Sequence, residues 1–127
     1  MPSLAISSFY IPLFALMFFV ITIRVGMFRA RTQTSFGDGG DKTLLKISRA
    51  QMNFTESTPI ALLLFTLVEY NGASAALVHG LYAVLLFGRL SHYLQLTSVL
   101  EPVIFRMGGM VATLLSIVTG AVWLLAN

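Results

Sequence analysis

Apolar residues run along this chain in long blocks, and the blocks set the elements. From Leu4 to Ile23 there are 20 residues without a charge, the length needed at about 1.5 Å of rise per residue to cross a bilayer core of about 30 Å. This predicts a first membrane helix containing Phe14-Ala-Leu-Met-Phe-Phe-Val20. A removable signal sequence would carry basic residues ahead of a shorter apolar region and a small-residue cleavage site behind it. Neither flank fits, so the segment is expected to stay in the protein. The uncharged stretches Tyr70 to Gly88 and Met107 to Asn127, 19 and 21 residues long, predict two further spans. Between Thr43 and Tyr70 the pattern changes, because Pro59 to Val68 is apolar whereas the first half holds Lys46, Arg49, Gln51, Asn53 and Glu56. One long helix, wet or buried in protein at its start, accounts for both halves.

Turn and cap signals separate these blocks. Gly37-Asp-Gly-Gly-Asp41 reads as a loop whose last residue N-caps the second helix, and Asn71-Gly72 as a tight turn into the third. Glu101-Pro102 breaks the chain before the fourth. Pro59 falls inside the second helix, where its missing N–H predicts a kink unless neighbours satisfy the freed carbonyl. With no internal repeat, residues 1–127 read as a single domain with spans near 4–28, 43–70, 74–96 and 105–126. The fold class is all-α, a four-helix transmembrane bundle.

Composition sharpens this picture. The chain is 57% hydrophobic and 10% charged with a mean hydropathy of +0.85, against about 25% charged in soluble domains. Its 127 residues leave no length for a separate soluble domain. The net charge of +3 raises nucleic acid as a partner, but no Lys/Arg-rich segment interleaved with aromatics exists to track a phosphate backbone. Position explains the charge instead. Arg24, Arg29, Arg31, Lys42, Lys46, Arg49, Arg89 and Arg106 all lie in or beside the first and third loops. The positive-inside rule therefore puts both basic loops in the cytoplasm and both termini outside. The absence of cysteine removes disulfides, thiolate metal sites and protein thiol nucleophiles, so any thiol chemistry comes from a ligand.

Ionisable groups at membrane depth cost at least about 2.5 kcal/mol each at a helix centre, so they normally face protein or a water-filled site. Arg49, Asn53 and Glu56 are spaced by four and three, which puts a cation, an amide and a carboxylate on one helical face. On the third helix Tyr82, Arg89 and Tyr93 form a second stripe, with His92 beside them, and Arg106 opens the fourth helix. Together these residues predict a pocket with excess positive charge and one anionic anchor. Such a pocket suits a small zwitterion with more negative than positive charge, of which a γ-glutamyl tripeptide is one. The alternative from spacing alone is structural: Arg49 and Glu56 neutralise each other and Asn53 bridges helices.

The string Arg49-Ala-Gln-Met-Asn53-Phe-Thr-Glu56-Ser-Thr-Pro59 resembles the helix-two signature of the membrane-associated proteins in eicosanoid and glutathione metabolism, the MAPEG family. That family holds the microsomal glutathione transferases and the glutathione-using leukotriene and prostaglandin E synthases. The likeness takes in the basic first loop, Glu69, Gly88-Arg89-Leu-Ser-His92 and Arg106, and the Gly-Asp-Gly-Gly loop is similar to the bacterial branch. The resemblance implies a homotrimer in a bacterial inner membrane, with glutathione as co-substrate bound at subunit interfaces open to the cytosol. By position it implies that Arg49 holds a glutathione carboxylate, Asn53 and Gln51 hydrogen-bond the peptide, and Glu56 takes the γ-glutamyl ammonium. Arg106 is the nearest match to the arginine that stabilises the thiolate, with Arg89 as fallback. Arg24 or Arg29 of a neighbouring subunit supplies a further cation. Two positions depart from the pattern: Ser57 stands where some members have a tyrosine after the glutamate, and Leu96 where a helix-three tyrosine contacts glutathione in the leukotriene-forming branch. That argues against an eicosanoid substrate and leaves His92 and Tyr93 as nearby substitutes.

The implied mechanism is acid–base in origin. A free thiol titrates near 8.5, and only the thiolate attacks. A guanidinium held against the sulfur, away from bulk water, favours the ionised form by a factor of roughly ten to a thousand. The second substrate, a lipophilic electrophile or lipid hydroperoxide, would arrive through the membrane lipid. The rival within the family is a non-catalytic binder of glutathione or lipid, acting as carrier, regulatory or structural subunit. Other signals are weaker. His79 and His92 are 13 apart with no second pair to complete a haem site, and they point to different faces. Asn53-Phe-Thr55 fits a glycosylation sequon at a helical, cytosolic-side position, and the Asp38–Asp41 loop lacks the ligand count of a calcium site. No metal is expected. A four-helix drug–proton exporter would carry its carboxylate in helix one, which has no acid here.

Overall fold

The computed structural model describes residues 3–99 and 102–127; of the Glu101-Pro102 break, Glu101 lies outside the described residues. The chain forms four helices: α1 (Ala5–Thr32), α2 (Lys42–Tyr70), α3 (Ala75–Leu96) and α4 (Ile104–Ala126). No strand occurs among the described residues. Helix α1 runs four residues beyond the expected end near Phe28, and its last turn carries Arg29 and Arg31. The extension has a local cause. Arg29 Nη1 donates to Gly37 O at 2.8 Å, and the Thr34 N–H returns to Arg29 O at 3.1 Å, folding the loop back on the helix end. Asp41 then caps α2, accepting from the Leu44 N–H at 2.8 Å.

Pro59 does not interrupt α2, which continues to Tyr70. Gly72, at φ +85°, reverses the chain there. The Gly72 N–H bonds to Glu69 O and the Ala73 N–H to Val68 O, the paired closure that a left-handed residue after a helix allows. Ser74 caps α3 by accepting from the Leu77 N–H.

Helix α2 touches all three others, while α1 and α4 do not meet among the described residues. The core lies where Phe14 and Ile21 of α1, Phe54, Ala61 and Phe65 of α2, and Leu81, Tyr82 and Leu85 of α3 interlock. Helix α4 buries small residues instead, namely Gly109, Thr113, Ser116 and Gly120. They let it approach α3 so closely that a Cβ on Gly88 would lie 2.9 Å from Gly109 O, the small-residue contact by which membrane helices associate. Outward, α1 and α4 present Leu16, Phe19, Val20, Leu115, Val118 and Val122. Helices α1, α3 and α4 are each long and apolar enough to cross a membrane, and the protein is an integral, multi-pass membrane protein.

The end away from the 33–41 loop is closed by a buried polar network. Helix α1 has no side-chain cap of its own at Leu4. Glu69 of α2 supplies one, accepting from the backbone N–H groups of Ile6 at 2.9 Å and Ser7 at 2.8 Å. A carboxylate at a helix N-terminus satisfies orphan donors and the helix dipole together. The Tyr82 hydroxyl donates to Ser7 Oγ at 2.9 Å and meets Thr66 Oγ1 at 3.2 Å.

Candidate functional site

A cavity of about 700 Å³ opens between the first half of α2, the end of α3 and the start of α4. That volume falls within the roughly 300–1,000 Å³ of small-molecule sites. Its polar lining is Lys46, Arg49, Asn53 and Glu56 from α2, His92 from α3 and Arg106 from α4, with Leu45, Met52 and Leu96 between them. The α2 residues fall at spacings of three, four and three, so one helical stripe faces the hollow over about 15 Å of helix length.

Three of the four charged side chains in this cavity are unpaired. Among the described residues Arg49, Glu56 and Arg106 make no side-chain hydrogen bond or ion pair, so Arg49 and Glu56 do not neutralise each other. Three cations and one carboxylate share the space. Lys46 alone has a partner, donating from Nζ to Ser98 Oγ at 2.7 Å.

Arg89 works behind the cavity wall. It is 2% exposed, and its Nε donates to Thr113 Oγ1 at 2.9 Å. Its Nη1 donates to Ser57 Oγ at 3.0 Å and to Asn53 Oδ1, and its Nη2 to Gly109 O at 3.4 Å. A guanidinium only donates, so it fixes which way the Asn53 amide faces. With Oδ1 held by Arg89, the Asn53 NH₂ is left for the cavity. Asn53 therefore offers donors, suited to a carbonyl or carboxylate.

Other residues of the sequence-derived set lie elsewhere. Gln51 turns toward α1, its Nε2 donating to Thr22 Oγ1 at 3.2 Å. Arg24 donates to Tyr93 Oη at 3.0 Å, with its guanidinium carbon 5.9 Å from that ring's centroid, and neither lines the cavity of its own chain. Arg29 anchors the loop at Gly37 and reaches Ser48 Oγ at 3.4 Å. Tyr82, expected on the pocket stripe, belongs to the opposite end with Ser7 and Thr66. It shares a helical face with Arg89 but sits two turns farther along α3, beyond the reach of the hollow. Lys46 is the residue the sequence-derived set omits. Its spacing to Arg49, Asn53 and Glu56 carried the signal.

The MAPEG family model matches residues 7–126. The chain belongs to the MAPEG family. Among its relatives, the inner membrane protein YecN of Escherichia coli K12 is 38% identical over 88 residues, covering 69% of this chain and 67% of that protein. The YecN protein of E. coli O6:H1 gives the same figures. No solved structure matches. Within this MAPEG chain the signature string supplies three of the six polar cavity residues, Arg49, Asn53 and Glu56. Two further residues of the string, Ser57 and Thr58, do other work. Ser57 accepts from Arg89, and the hydroxyl of Thr58, 2% exposed, has no hydrogen-bond partner among the described residues.

Proposed function

We propose that this protein is a membrane-embedded, glutathione-dependent transferase or peroxidase whose glutathione site is the α2–α3–α4 cavity. The observation that carries this reading is that Arg49, Glu56 and Arg106 open into one hollow without partners of their own. These side chains are exposed in the single chain; within an assembled membrane bundle unpaired charges are costly, and a zwitterion with excess negative charge offsets that cost. In this assignment Glu56 takes the γ-glutamyl ammonium, Arg49 a carboxylate and the Asn53 NH₂ a peptide carbonyl. Bound glutathione supplies the nucleophilic sulfur. Arg106, at the cavity edge formed by α4, holds the sulfur as thiolate by charge, with no acid–base group of the protein needed.

The active unit is a homotrimer, in which Arg24 or Arg29 of a neighbouring subunit completes the site. Lys and Arg gather toward the end that carries the 33–41 loop, which faces the cytosol with both termini outside. The membrane is a bacterial inner membrane, the location that the name of the E. coli relatives gives for those proteins. The lipophilic second substrate reaches the sulfur from the bilayer.

The deciding experiment adds glutathione to the detergent-purified protein and records calorimetry together with an ultraviolet difference spectrum for thiolate. Binding with a thiolate band is expected. Arg106→Ala is expected to retain most of the binding and lose the band, whereas Arg49→Ala loses the binding. Binding without a band in the native protein would replace the enzyme by a carrier or regulatory protein. No binding would make the α2 stripe structural.

A further inference from the structure

Lys46 is not part of the signature string, yet its side chain lines the cavity one turn before Arg49. Its position is set by the end of α3. There the Val99 N–H bonds to Leu94 O at 2.8 Å and the Ser98 N–H to Gln95 O at 3.0 Å, with Ser98 at φ +64°. This closure fixes the Ser98 backbone, and Lys46 Nζ donates to the Ser98 hydroxyl at 2.7 Å. The ammonium is thereby held at the mouth of the cavity, near the negative end of the α3 dipole. Only one of its three N–H donors is used there.

Counting charges gives the remaining donors a task. The cavity contains Lys46, Arg49 and Arg106 against Glu56. Glutathione as thiolate carries two carboxylates, one sulfur anion and one ammonium. If Arg106 takes the sulfur, Glu56 the ammonium and Arg49 the adjacent γ-glutamyl carboxylate, one anion remains, and Lys46 is the cation of this chain's own lining left to meet it. We propose that Lys46 binds the glycyl carboxylate at the cavity mouth and is the residue that selects the full tripeptide. This rests on the glutathione reading above.

The test compares two probes, glutathione and its glycine monoethyl ester, which keeps every other group and removes only the glycyl charge. Calorimetry on the full-length protein in detergent is expected to show the ester binding about five- to tenfold more weakly, the scale of one charge pair at a partly exposed site. Lys46→Gln should weaken glutathione by a similar factor and leave the ester unchanged, so the preference disappears; Lys46→Arg should keep it. The preference should also shrink as salt is raised, because the mouth is open to solvent. Equal weakening of both probes by Lys46→Gln would overturn the assignment, as would a preference that survives the substitution. A native protein that binds neither probe would overturn the glutathione reading itself, and this inference with it.

Discussion

Replacing Arg89 by methionine separates a positioning role from a structural one. Its guanidinium meets Thr113, Ser57, Asn53 and Gly109, and no carboxylate bonds to it among the described residues. Charge-assisted hydrogen bonds of this kind contribute about 1.5–3 kcal/mol each, but burying an unpaired cation costs several kcal/mol in return. The hydroxyls of Thr113 and Ser57 also keep acceptors of their own, Gly109 O and Asn53 O, each at 2.9 Å. The net stability change is therefore expected to stay within about 1 kcal/mol, because the two contributions nearly cancel. Ligand binding is different. Without Arg89 the Asn53 amide is free to rotate and one preoriented hydrogen bond is lost, about 1 kcal/mol or fivefold in Kd.

A double-mutant cycle read by glutathione calorimetry isolates this effect. Arg89→Met should weaken binding about fivefold alone, the factor that 1 kcal/mol corresponds to, and add little once Asn53 is already alanine. Arg89→Lys preserves the charge while losing the fork that reaches Asn53, so it should behave like the methionine variant. Equal weakening in both Asn53 backgrounds, or a fully active lysine variant, would show that Arg89 acts through its field and refute the positioning argument.

Three further outcomes follow from the packing. Glu69→Gln keeps one acceptor oxygen where two backbone N–H groups converge, and should lower stability by about 1–2 kcal/mol in thermal unfolding; an unchanged melt would remove Glu69 as the cap of α1. At Gly109 a Cβ would collide with the backbone oxygen of Gly88 and stand 3.0 Å from both Cβ and N of His92, whereas at Gly108 it meets nothing within 4 Å. Gly109→Ala should thus cost about 1–3 kcal/mol and distort the cavity, while Gly108→Ala folds normally, as yield and melting of the two variants would reveal. Thr58→Val removes a buried hydroxyl without a partner and should raise stability by up to about 1 kcal/mol; a lower melting temperature would mean that the hydroxyl is bonded in the membrane.

The fold class was legible because bilayer length and uncharged blocks leave few alternatives: each uncharged run falls mainly in one helix of the bundle, α1, α3 or α4. The site was legible on α2 for a related reason. Polar residues at helical spacing in an otherwise apolar chain must share a face, and Arg49, Asn53 and Glu56 do line one hollow. Depth along a helix was harder to read than face. Tyr82 and Arg89 are in phase, yet one serves the α1 cap network and the other supports the cavity wall. Which neighbour a long side chain chooses was not legible at all. Gln51 sits within the signature string but turns to Thr22, and Lys46 was counted among the basic loop charges although its phase matched the stripe.

The same chain provides the contrast that gives the unpaired charges their meaning. Where a charge supports the fold, its partners lie within reach: Glu69 takes two backbone N–H groups, Arg89 spreads its fork over α2 and α4, and Arg29 closes a loop. Every one of these would be costly to leave unsatisfied, and none is. Arg49, Glu56 and Arg106, exposed in the single chain, have no such partners among the described residues and line one hollow large enough for a small molecule. Exposed Arg31 and Lys42 lack side-chain partners among the described residues as well, so the distinguishing feature is that charges of both signs converge on one hollow. Under the proposed function a shared ligand accounts for all three at once, and Arg89, fully engaged a layer behind, holds the Asn53 amide between them by its oxygen.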